Sequence, residues 1–291
     1  MSKHPVVLPP VVVAMDFSAA SIAAVHWVAT HFAPSSPIVA VHAVDIPEPP
    51  GFLAPLLAPT GPARELAADG ARTRLASLAR ELPAVSGEVR VGRAAPIIVA
   101  VAEERRASAI VIGPHGERTG LGRLIGSTAE RVTRNAGVPV VVARGNLERS
   151  PVRLLVAVDD SAAGEAALGW AAGVARESGR ELLVLHIIDP ALAGAVSVAA
   201  APRERASALD GLRLAAEVWL KERLEHTGIP VERREGALRF GDPRAEILAA
   251  TISLRADLLV VGRGRTGIAG AIGSVADALV RAAEVTTVVV P

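Results

Sequence analysis

Two short glycine-bearing segments hold residue types suited to gripping an anion. The first reads Gly113-Pro114-His115-Gly116, nine intervening residues, then Gly126-Ser127-Thr128. The second reads Gly262-Arg263-Gly264, eight residues, then Gly273-Ser274-Val275. Each follows an apolar run that reads as a buried strand (109–112 and 257–261), and each opens a helix. Glycine lets backbone N–H groups approach an anion closely, and the N-terminus of the next helix adds a positive dipole. A Gly-Ser pair is also an ordinary helix start: Ser127-Thr128-Ala129-Glu130 reads as a capping box, and Ser274-Val275-Ala276-Asp277 as a weaker one. The spacing after a strand, and its recurrence, favour a ligand loop. Lys3 and Lys221 are the two lysines of the chain, and neither adjoins a glycine loop. A P-loop NTPase needs a lysine in that loop to reach the β- and γ-phosphates. Phosphate contact here therefore falls to backbone amides, hydroxyls and arginines.

The elements that must position these loops occur twice. Residues 11–18 match 154–161, 26–29 match 169–172, and 39–45 match 183–189, at offsets of 143 to 144 residues. A constant offset across several segments is the mark of duplication. In each half, short β-branched runs alternate with longer helical stretches, the pattern of βαβ units. In the first half, strands are expected near 10–15, 37–44, 87–92, 108–113 and 138–143, and helices near 19–32, 62–82, 95–106 and 127–136. Proline-rich 46–61 reads as a loop, and its Ala-rich counterpart 190–202 gives a weaker signal. Domains are expected at 1–146 and 151–291, joined by a linker at 145–151. The fold class is α/β: two tandem doubly wound five-stranded parallel-sheet domains, Rossmann-like. Such a sheet commonly has order 2-1-3-4-5 or 3-2-1-4-5 and takes its ligand where the order reverses, at the strands' carboxyl ends. With 3-2-1-4-5, the order adopted here, the reversal lies between strands one and four, which end at Asp16 and Gly113.

Composition removes several classes of function. The 291 residues carry a net charge of +1 with both signs interspersed, which argues against a duplex-binding patch. Tyrosine is absent and aromatic residues make up 2%, so only Phe and Trp supply aromatic surface, which argues against interleaved stacking platforms for single-stranded nucleic acid. Cysteine is absent as well, which excludes disulfides, thiolate metal sites and cysteine nucleophiles. No apolar run approaches the ~20 residues needed to span a bilayer, and residues 1–10 lack a secretory apolar core. A cytoplasmic protein that binds neither nucleic acid nor membrane is expected.

The G-x2-G-x9-G-[S/T] pattern, Asp16-Phe17-Ser18 after strand one, and His42-Ala43 and His186-Ile187 at the ends of the second strands resemble the universal stress protein family. The resemblance spans nearly the whole chain as two tandem domains. It implies ATP as ligand, with Ala14 and Ala43 lining the adenine pocket and Asp16 facing the ribose or a phosphate-bound Mg2+. It also implies phosphate contacts from Gly113, Gly116, Gly126, Ser127 and Thr128, with His115 pointing at the phosphates. In the second half Ala157, Asp159 and Ile187 correspond to the nucleoside side, and Gly262, Gly264, Gly273, Ser274 and Val275 to the phosphate loop. That loop lacks one residue between Gly262 and Gly264 and another before Gly273. Each missing residue removes up to ~3.5 Å of reach. Arg263 and Arg265 are either compensating phosphate partners or solvated surface arginines. Fifth strands of the family pair in dimers, which implies an intrachain pseudo-dimer, and a homodimer, through 138–143 and 287–290.

Other features suggest chemistry without supporting it. Gly262-Arg263-Gly264-Arg265-Thr266-Gly267 fits the dinucleotide fingerprint, but follows a fourth strand, and the nearest acid, Glu284, precedes its strand. The histidines show no metal-ligand spacing, and His42 and His186 read as packed strand ends. Trp27 and Trp170 read as core, and Ser18 and Ser161 as helix N-caps rather than nucleophiles. No catalytic residue is assigned. The expected function is an ATP-binding stress or signalling module with little or no turnover. A slow ATP hydrolase and a nucleotide-free scaffold stay open as alternatives. Gly273→Val is expected to be silent if the second site is empty of function.

Overall fold

The computed structural model describes residues 8–45, 61–114, 125–199, 205–264 and 272–291. Two compact units divide the chain, Met1–Ser150 and Pro151–Pro291. In unit one the elements run β1 (Val11–Ala14), α1 (Ala19–Trp27), β2 (Ile38–Val44), α2 (Gly61–Glu81), β3 (Val85–Val91), α3 (Ala94–Glu104), β4 (Ala109–Ile112), α4 (Ser127–Asn135) and β5 (Val140–Val142). Unit two repeats them as β6 (Arg153–Val158), α5 (Ala162–Ser178), β7 (Glu181–Ile188), α6 (Pro190–Ala199), α7 (Arg205–His226), β8 (Arg234–Phe240), α8 (Pro243–Ser253), β9 (Leu258–Gly262), α9 (Ser274–Ala282) and β10 (Thr286–Val290).

All strand pairings within each unit are parallel, in the order β3-β2-β1-β4-β5 in unit one and β8-β7-β6-β9-β10 in unit two. Parallel strands with helices on both faces read as unbroken apolar runs. Accordingly β1 (VVVA), β4 (AIVI) and β5 (VVV) are buried at every position, as are Leu258–Val261 of β9. The outer strands β3 (VSGEVRV) and β8 (REGALRF) are half-buried and carry charges, which suits strands with one unpaired edge.

The units differ at the end of the first helix. In unit two, α5 runs regularly to Ser178 and stops at Gly179 in the left-handed conformation. In unit one, α1 passes into a π-turn, Val28–Phe32, closed by a bond from Ala33 N to the Val28 carbonyl. The wider turn stacks Trp27 on Phe32 with ring centroids 4.7 Å apart. Trp27 Nε1 donates to the Arg149 carbonyl at 3.3 Å, and Ser150 Oγ lies 3.4 Å from His31 Nδ1. This strap fastens 149–150 to the helix end. Trp27 is core as expected, whereas Trp170 is only half-buried. The Ala-rich stretch after β7 forms α6, started by Asp189 Oδ1 accepting from Ala191 N at 2.7 Å. Residues 46–60 of unit one lie outside the described residues.

Candidate functional site

In unit one the strand order reverses between β1 and β4, which pair from Val11↔Ala109 to Val13↔Val111. Asp16 and Gly113 therefore follow adjacent strand ends, where doubly wound sheets take their ligands. Beyond β1 the chain makes a tight turn around a carboxylate. Asp16 Oδ1 accepts from Ser18 N at 3.0 Å and from Ser18 Oγ at 2.6 Å. Ser18 Oγ in turn accepts from Ser21 N at 3.2 Å and caps α1. Ser18 is thus a cap, as its position in the sequence suggested. Ala14 is buried on β1, and Ala43 is half-buried on β2 with its carbonyl accepting from Asp45 N at 3.1 Å.

The glycine loop closes on itself at a neck. Gly126 N donates to the Pro114 carbonyl at 2.6 Å, so the two ends of the loop lie side by side. His115 and Gly116 fall outside the described residues. The N-cap of α4 is Gly126, which makes no side-chain cap bond. This corrects the capping-box expectation: Ser127 is already helical, so its hydroxyl is one position too late to cap. Ser127 is exposed and Thr128 half-buried at the first helical positions. A helix start that no side chain closes leaves its first amides for water or a ligand.

Unit two rebuilds this arrangement with altered parts. Asp159 Oδ1 accepts from Ser161 N at 3.2 Å and Ser161 Oγ at 2.5 Å, and Ser161 Oγ caps α5 through Gly164 N at 3.0 Å. Ala157 and Ile187 are half-buried on β6 and β7. The neck recurs as Gly273 N donating to the Arg263 carbonyl at 2.7 Å. Its ends stand ten positions apart, 263 to 273, against twelve in unit one, 114 to 126. Gly273 caps α9 without a side-chain bond; Ser274 is exposed, and half-buried Val275 stands where Thr128 offers a hydroxyl. Gly262 has a packing reason of its own, because a Cβ there would lie 2.4 Å from the Ala163 carbonyl oxygen. Gly264 adopts φ +93, and a Cβ on it would lie 2.9 Å from Gly273 Cα. Arg265 lies outside the described residues.

Beside each carboxylate turn stands a group that motif reading did not assemble. His42 Nδ1 lies 2.8 Å from the Met15 carbonyl, and His186 Nδ1 lies 2.9 Å from the Val158 carbonyl. That carbonyl can only accept, so Nδ1 carries the proton and the tautomer is fixed. The His42 ring meets Phe17 at 4.8 Å, and the Arg74 guanidinium lies 3.9 Å from the Phe17 centroid. The His186 ring meets Trp219 at 4.8 Å, with the Arg223 guanidinium 5.3 Å from the Trp219 ring. One sequence signal pointed to the arginines: Arg74 precedes Gly87 by the same thirteen positions that separate Arg223 from Gly236. Both glycines let a helix leucine press on the strand, Leu75 on Gly87 and Leu224 on Gly236.

The sequence profile of the universal stress protein family matches residues 9–144 and again 152–291. The chain belongs to that family. A universal stress protein of Mycobacterium tuberculosis strain H37Rv is 30% identical over 302 aligned positions, covering 96% of this chain and 95% of the relative. Another, from Mycobacterium bovis, is 30% identical over 70% of this chain and 68% of its own length. Among solved structures, a universal stress protein from Archaeoglobus fulgidus superposes with a TM-score of 0.65 at 22% identity, covering 97% of this chain and 95% of that one. A Pseudomonas aeruginosa structure described as a putative universal stress protein gives the same TM-score at 16% identity and covers 97% and 92% of the two chains. These structural likenesses establish the tandem α/β fold.

Proposed function

We propose that unit one binds an adenine nucleotide, with ATP as the reference ligand, and acts as a nucleotide-dependent stress or signalling module with little or no turnover. The observation that carries this reading is the pinched glycine neck at Pro114 and Gly126, which opens onto a helix start without a side-chain cap. It lies one strand away from the Asp16 turn, at the reversal of strand order. Loop amides with Ser127 and Thr128 would take the phosphates, while Ala14 and Ala43 leave room for the base. Mg2+ fits as an ion carried by the phosphates and water with Asp16 as a single carboxylate, a common way for that ion to bind. No cluster of three or more His, Asp or Glu side chains able to hold a metal occurs among the described residues.

The low turnover follows from what surrounds the phosphates. Asp16 Oδ1 is committed to the turn, and no lysine accompanies the loop. Fast phosphoryl transfer needs a charge clamp and a group that orients water. Unit two, with a shorter loop and Val275 in place of a hydroxyl, is the weaker or silent partner. A cytoplasmic setting belongs to the same reading, alongside the absence of cysteine and of any membrane-spanning helix among the described residues. Self-association of chains through a fifth strand is part of it as well.

Calorimetric titration of nucleotide-free protein with Mg-ATP, followed by an overnight product assay on the same sample, tests the reading. One ATP per chain without product is expected. Release of ADP or AMP would move the chain to the slow-hydrolase reading. No heat at millimolar ATP would leave a scaffold.

A further inference from the structure

The histidine, ring and arginine beside the carboxylate turn are present in both units, yet the ring comes from different places. In unit one it is Phe17, from the turn after β1; the position that matches Trp219 is Gly70, where a Cβ would meet nothing within 4 Å. In unit two the turn carries Asp160, and Trp219 of α7 supplies the ring. Through this exchange the arginine stays at the same register and over the ring. Its charge, however, has two different fates. Arg223 is ion-paired with Glu165. The residue matching Glu165 in unit one is Ile22, 37% exposed, and Arg74 makes no hydrogen bond or ion pair among the described residues. An arginine held over a ring keeps its in-plane donors for an anion. Phe17 holds φ +64, a conformation that is uncommon for a bulky residue, and its ring meets both His42 and Arg74.

We propose that Arg74 is a specificity-determining residue of the unit-one crevice, selecting phosphate-bearing nucleotides over neutral nucleosides, and that Glu165 silences its counterpart Arg223 in unit two. The proposal deepens the nucleotide reading above and rests on it. Arg223 is paired with Glu165, and unit two carries acids at Asp159, Asp160 and Glu165, whereas Asp16 is the one acid at the corresponding positions of unit one. An anionic ligand therefore meets a balanced crevice in unit one and an acidic one in unit two.

The test compares ATP and adenosine binding to the full chain by calorimetry, for the wild type, Arg74→Gln and Ile22→Glu. Gln removes the charge, and Glu at position 22 supplies the quenching partner found in unit two. Both variants should lose about tenfold in ATP affinity, the size of one charge-assisted contact, with adenosine affinity unchanged. Wild-type ATP affinity in both variants would overturn this assignment alone. An equal loss for ATP and adenosine would also overturn it, since the residue would then shape the crevice without reading charge. A wild-type chain that binds neither ligand would overturn the nucleotide reading and this assignment with it. Thermal melts of each variant, matched to wild type, separate these outcomes from misfolding.

Discussion

The two carboxylate turns, Asp16-Phe17-Ser18 and Asp159-Asp160-Ser161, have the same hydrogen bonds and opposite surroundings. In each, the aspartate holds the serine that caps the next helix. Around the first stand a ring from the turn itself and an arginine without a carboxylate partner among the described residues; around the second stand a ring from a helix and an arginine bound to Glu165. Duplication preserved the backbone and the cap, which folding requires. The charges and rings facing the crevice were free to diverge. A fold repeated within one chain thus separates what the sheet needs from what the ligand needs.

Substitutions at the necks break the comparison most strongly. Gly126 has φ −68 and ψ 150, a conformation valine accepts, so Gly126→Val should fold while its side chain blocks the loop amides. Loss of ATP affinity beyond a hundredfold is expected by calorimetry, and unchanged affinity in the folded variant would remove the phosphate site from this loop. At the matching Gly273, a Cβ would lie 3.1 Å from Gly264 Cα and 3.2 Å from the Arg263 carbonyl oxygen. The neighbouring backbone must give by a few tenths of an ångström to admit it, so a lower melting temperature in Gly273→Val would report on neck packing, while unchanged ATP binding would meet the expectation of a silent second site.

Gly262→Ala should cost about 3 kcal/mol in denaturant unfolding, since the new Cβ meets the Ala163 carbonyl rather than a movable side chain. An unchanged midpoint would mean that α5 can retreat from β9 without loss. At the other end of the comparison, Gly70→Ala should stabilise unit one by roughly 0.5–1 kcal/mol. The position is helical with open space, and alanine restricts the unfolded chain. A destabilised Gly70→Ala would show that the Phe17 ring needs that space.

The smallest effect concerns pH. Arg90 bonds Glu104 through both terminal nitrogens, at 2.9 and 2.5 Å, and this hydrogen bonding holds the Glu104 carboxyl below its usual range. The matching arginine of unit two, Arg239, meets the Ser253 hydroxyl at 2.5 Å instead. A carboxyl with a depressed folded-state pKa contributes stability above its unfolded pKa and loses it as pH falls through the folded value. Melts of Glu104→Gln should therefore fall slightly below wild type at neutral pH and meet it in acid, whereas Ser253→Ala should show no such convergence. A Glu104→Gln deficit that persisted into acid would assign the effect to packing.

Much of the fold was legible because apolar runs and helix periods do not depend on distant partners. Every described strand of unit one falls within about two residues of its expected place, and the caps at Ser18 and Ser161 follow from local chemistry alone. The start of α4 falls where expected, but its cap was misread, because a capping box and an N1 serine look alike until backbone angles separate them. The π-turn at Val28–Phe32 left no pattern, since its cause is a stacking pair and a strap formed in three dimensions. The trio at each crevice was hidden for a similar reason. His42, Phe17 and Arg74 come from three elements, and in the other half a tryptophan on a helix replaces a phenylalanine on a turn.

The chain's three tryptophans are Trp27, Trp170 and Trp219, and among the described residues only Trp219 meets a histidine ring, in a tilted pair beside the carboxylate turn. Indole emission is quenched by a nearby imidazolium and shifts with the polarity around the ring. Unit two thus carries a built-in optical reporter of its own crevice, with no label needed. The phenylalanine in the same role leaves the crevice of unit one dark at those wavelengths. With Trp27 and Trp170 replaced by phenylalanine, the emission of a single chain would report on one crevice and be blind to the other.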